Sequence, residues 1–106
     1  MKKTLPLGEI VASRELEFVD DGGRKQTVAV RLGKPIQEQD GAWFCPYEIT
    51  AQGFERQFRI GGADSMQALF LAAKTVAVEL EVLATDYKGS LTWFGEPDLG
   101  FWSSSN

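Results

Sequence analysis

A change of hydrophobic period at Gly61 and Gly62 constrains this chain more than any other feature. Before it, apolar and polar residues alternate, as in strands that bury one face. After it, apolar residues recur at spacings of three and four, as on a helix. From Ile10 to Val19, residues Ile10, Ala12, Leu16 and Phe18 share one parity and Ser13, Glu15 and Glu17 hold the other. Arg14 breaks the alternation, which predicts a bulge there or a side chain reaching the sheet rim. Asp20, Asp21, Gly22 and Gly23 tolerate positive φ and read as a hairpin turn. A second strand from about Lys25 to Leu32 places Val28, Val30 and Leu32 on one face, and the polar stretch Gly33 to Gly41 reads as a longer connection. The third strand, Ala42 to Thr50, aligns Trp43, Cys45, Tyr47 and Ile49. The fourth sets Phe54, Arg56, Phe58 and Ile60 against Glu55, Gln57 and Arg59. Pro46 cannot donate to a ladder, so the third strand either bulges there or has a free edge.

Beyond the glycines, Met66, Leu69, Phe70, Ala73, Val76, Ala77, Leu80, Leu83, Ala84 and Tyr87 form one stripe on a helix expected from Asp64 to Asp86. Asp64 is a good N-cap, Gln67 completes a capping box, and Gly89 is placed to stop the helix. Leu69, Val76 and Leu80 are expected to be deeply buried. The expected fold is therefore α+β: an antiparallel four-stranded meander, then one long helix packed on one face (ββββα), with an apolar segment from Leu91 to Trp102. No linker divides the chain, so residues 1–106 read as a single domain with an ordered core over about 8–102. Disorder is expected at Met1 to Pro6 and Ser103 to Asn106.

Several function classes lose support at once. Among 106 residues there is no histidine, which removes Ser-His-Asp and Cys-His nucleophiles and the commonest metal ligand. The net charge of -4, with scattered basic residues, argues against nucleic acid as a partner. Arg56 and Arg59, the nearest approach to a basic patch, point to opposite faces of their strand. No window resembles a signal-peptide core or a membrane span, and the lone Cys45 fits a reducing compartment, so the cytoplasm is expected. Cys45 lies in phase with Trp43 and Tyr47 and reads as a buried, inert thiol. Asp86, Glu96 and Asp98 lack the spacing of a calcium loop and read as helix-end and loop charges. Gly61 to Ser65 has no lysine to hold a phosphate, and Asp64 would occupy the same amides itself. Trp43, Tyr47, Phe54 and Phe58 belong to the face that the helix covers and read as core; only Phe44 points away. No cofactor or metal is expected.

In one group of residues the order of motifs is familiar. Trp43, Cys45 and Tyr47 in one strand, Gly62, Asp64, Ser65, Gln67, Ala68, Leu69 and Leu71 at the helix start, and Trp93, Gly95, Asp98, Gly100 and Phe101 near the end resemble a group of small uncharacterised bacterial proteins, a domain of unknown function. The resemblance spans about residues 8–102. It implies a free-standing bacterial cytoplasmic domain without an established activity, and it carries over no catalytic or binding residues.

A second helix stripe of Leu71, Val78 and Val82 lies opposite the core stripe, where a one-sided surface helix should be polar. The chain's own segment from Leu91 to Trp102 or a second subunit is expected to cover it, which makes Leu71, Val78, Val82, Trp93 and Phe94 the candidate interface. The leading expectation is a non-catalytic protein-interaction module of accessory or immunity type, binding a protein partner or itself as a homodimer. The alternative is a small-molecule-binding domain or unusual enzyme with a pocket between the helix and the C-terminal segment.

Overall fold

In the computed structural model, which describes residues 7–101, six strands and one helix follow in the order β1 (Ile10–Asp20), β2 (Lys25–Gly33), β3 (Ile36–Gln37), β4 (Trp43–Ala51), β5 (Phe54–Gly62), α1 (Ser65–Asp86) and β6 (Gly89–Thr92). The chain ends for which disorder was expected, and Trp102, lie outside the described residues. The four expected strands are β1, β2, β4 and β5, and they pair antiparallel in that order. Two strands were missed. β3 forms inside the expected connection and pairs with the start of β4, and β6 follows the helix and pairs with β1. The sheet therefore runs β5-β4-β2-β1-β6, and α1 carries the chain from one edge strand to the opposite edge.

Local chemistry explains the turns. The Asp20 carboxylate accepts the backbone N–H groups of Gly22 and Arg24, both at 2.9 Å, and closes the first hairpin. Gln52 and Gly53 make a two-residue turn with Gly53 at φ +77°, a conformation that glycine adopts without a steric cost. Pro46 pairs in register with Arg59 on the β5 side. On its other side, β2 pairing stops at Tyr47 and β3 pairing starts at Phe44, so the missing N–H falls in the gap between them. The irregularity expected at Arg14 lies instead between Ile10 and Ala12, and Arg14 itself pairs regularly with Val30.

The helix begins as expected. Asp64 Oδ1 accepts the Gln67 N–H at 2.8 Å, and Gln67 Oε1 reaches back to the N–H of Ala63 at 2.6 Å. Its end differs, because Lys88 rather than a glycine takes the left-handed conformation, at φ +55°. Gly89 serves packing: a Cβ there would stand 2.4 Å from the Phe18 ring. The buried line on α1 is Ala68, Ala72, Val76, Leu80 and Leu83, while Met66, Phe70 and Tyr87 are exposed and Leu69 is only partly buried. The cause lies at Gly62, where a Cβ would come within 2.4 Å of the Ala68 nitrogen. An approach that close demands small residues along the first half of the helix, so the alanines turn inward and the larger side chains lie to the sides. Under this line sit Leu16, Phe18, Val28, Val30, Tyr47 and Ile49, all buried.

Candidate functional site

Because α1 packs chiefly across β4 and β5, each of its flanks meets a different part of the sheet. With Val76 facing the sheet, about 100° per residue puts Glu79 about 60° to one side and Ala73 about 60° to the other.

On the Glu79 side, the fully buried Tyr47 donates its hydroxyl to Glu79 Oε2, and Arg56 Nε donates to Glu79 Oε1 at 2.9 Å. Burial, reinforced by the Glu79 carboxylate, pushes the Tyr47 phenol well above its ordinary range and keeps it neutral. Arg56 loses solvation there, yet Glu79 more than offsets this and holds it charged. This trio ties α1 to β4 and β5 and is closed to solvent at the tyrosine. Sequence reasoning missed it. The available signal was Arg56, a charge in the core phase of β5 that needed a partner from the covering helix.

On the Ala73 side, Arg14 rises from β1 on the covered face. Its guanidinium stands 4.0 Å from the Trp93 ring centroid and 5.1 Å from that of Phe101, and its Nη1 donates to the Leu99 carbonyl at 2.9 Å. Beside it opens a cleft of about 210 Å³ lined by Ala12, Arg14, Val30, Ala73, Val76 and Phe101. The cleft lies between the helix and the segment after β6.

The candidate interface residues divide between two places. Leu71, Val82 and Val78 lie about 140°, 120° and 160° round from Val76 on the Glu79 side. They are 37, 52 and 55% exposed, and the segment through Phe101 packs on the other flank. Trp93 is partly buried beneath Arg14, whereas Phe94 is 88% exposed at φ +51° in the tight turn after β6. Below the Leu71 seam lies β5, which pairs only with β4 among the described residues, and Phe58 on its covered face is 46% exposed. Seam, phenylalanine and β5 thus share one side of the molecule.

Cys45 is fully buried, donates its thiol proton toward the Gly33 carbonyl at 3.4 Å, and is pushed up to about 11 by burial. Phe44, on the open face, stacks against Arg59 at 4.0 Å. Asp98 accepts the N–H of Gly100, and among the described residues no three acidic or thiol groups gather closely enough to hold a metal ion.

Residues 12–102 match the family described as a domain of unknown function, DUF6968. The chain belongs to this family. No curated protein and no solved structure matches it. The DUF6968 match takes in every residue of the Arg14 cluster, the Tyr47 trio and the helix seam, and no helix among its described residues is long and apolar enough to cross a membrane.

Proposed function

We propose that this DUF6968 chain is a non-catalytic protein-interaction module of accessory or immunity type, working in the bacterial cytoplasm through the side formed by α1 and β5. The observation that supports this reading is the apolar seam of Leu71, Val78 and Val82, exposed beside Phe58. Apolar side chains gathered on one side of a surface are what a protein partner uses. The lone reduced thiol of Cys45 suits a reducing compartment. The experiment is affinity capture with the native chain and with Val78→Glu. A protein held by the native chain should be lost by the variant while the melting temperature stays within about 2 °C, since Val78 is a surface position. Equal capture by both would remove the seam from the reading.

A second reading is favoured by the cleft beside Arg14, which has the apolar walls and single fixed cation that suit a small ligand with an acidic group. A thermal-shift screen of metabolites separates the two, since a ligand seated there raises the melting temperature and Arg14→Ala should abolish that rise.

A further inference from the structure

The exposed stripe of α1 repeats like the seam of a coiled coil, and we infer that its occupant is a second copy of the chain, packed helix against antiparallel helix across a two-fold axis. The inference rests on the interaction reading above and names the partner.

Spacing comes first. Leu71, Thr75, Val78 and Val82 follow one another at four, three and four residues, the rhythm in which paired helices place their contact positions. Thr75 lies about 100° round from Val76, so the four residues occupy an arc of about 60° on the flank away from the Arg14 cleft. Leu71, Val78 and Val82 are exposed there. Thr75 fits among them because its hydroxyl donates to the Leu71 carbonyl at 2.7 Å, which satisfies the donor and leaves the methyl group to pack. From Leu71 to Val82 the stripe rises about 16 Å, or about three turns.

Charges then choose the direction. Lys74 and Glu81 border the stripe on its outer flank, seven residues apart and both exposed, while Glu79 and Asp86 border it on the flank nearer the sheet. In a parallel pair, each outer flank meets the inner flank of the second helix about five positions further on. That arrangement sets Glu81 against Asp86 twice, and it sets Lys74 against Glu79, whose oxygens Tyr47 and Arg56 already hold. In an antiparallel pair, outer flank meets outer flank. Lys74 then faces Glu81 of the second copy and Glu81 faces its Lys74, two attractive contacts in place of two repulsive ones.

The same direction closes the apolar stripe. Leu71 meets Val82 of the second copy and Thr75 meets its Val78, each contact occurring twice, so four layers form without a gap. A two-fold contact must be complementary to itself, and both the layers and the charges meet that condition. Side chains of this size let helix axes approach to about 8 to 10 Å. Three turns of helix make a short contact, so the dimer belongs with weak, reversible ones that form as concentration rises.

Sedimentation equilibrium on the full chain tests the inference. The mass should climb from one chain toward two as concentration is raised, and Val78→Glu should abolish the climb. Lys74→Glu or Glu81→Lys alone should weaken the dimer about tenfold, by setting like charges opposite each other twice, and the double reversal should restore it. Both positions are exposed, and circular dichroism checks that every variant is folded. A native chain that stays monomeric at millimolar concentration overturns the inference, as does a dimer that ignores both single reversals or a double reversal that fails to recover. A monomer that Val78→Glu destabilises strongly also overturns it, because the seam is then covered from within the chain. A monomer whose capture of a different protein is lost in Val78→Glu removes the second copy and leaves the interaction reading standing. A monomer that captures nothing removes both.

Discussion

Cys45 and Tyr47 stand two residues apart on β4, both sealed beneath α1. Each holds a proton that the unfolded chain would release more readily. For Cys45 the folded value is about 11 against an ordinary 9.0. Stability from this thiol is therefore fully present below pH 9 and is lost as pH climbs toward 11, by about 2 to 3 kcal/mol in all. Urea unfolding between pH 8 and 11 should show a steep alkaline decline in the native chain and a shallower one in Cys45→Ala. The phenol of Tyr47, raised by burial and by Glu79, adds loss in the same direction above pH 10. At neutral pH, Tyr47→Phe keeps the ring but strips Glu79 of one donor, which should cost about 1 to 3 kcal/mol in denaturant unfolding. A cost near zero would mean that the hydroxyl contributes nothing. The burial of Cys45 and Tyr47 was legible from their shared parity with Trp43 and Ile49. Their partners were not, because Glu79 lies more than thirty positions away and no local spacing links it to Tyr47.

Among the elements, α1 was the most legible, since 22 residues span enough turns to display a period and Asp64 marks the start. Its azimuth was misjudged. Large apolar residues draw the expected stripe toward Met66 and Phe70, whereas the sheet accepts the alanines because Gly62 brings the backbones close. Gly62→Ala should accordingly cost about 1 to 3 kcal/mol by overpacking. Leu80→Ala, which empties a fully buried site, should cost about 2 to 5 kcal/mol. Calorimetry of the two variants checks both, and a harmless Gly62→Ala would show that the helix can ride higher on the sheet. Strands β3 and β6 escaped notice because two and four residues are too few to reveal an alternation. Their existence is decided by what lies opposite them on β4 and β1.

For the whole molecule, the exposed seam of Leu71, Val78 and Val82 followed from helical spacing, but its place beside β5 depends on sheet order, which no stretch of sequence states. The same sheet order governs the route to the native state. Glu17 pairs with Thr92, so the last strand closes on the first, while β1, β2, β4 and β5 need only neighbours in sequence. Contacts that span most of a chain are slow to form, because loop closure comes before any gain from pairing. A ribosome releasing this protein would therefore expose a nearly complete sheet whose first strand waits for its final neighbour until residue 92 has emerged.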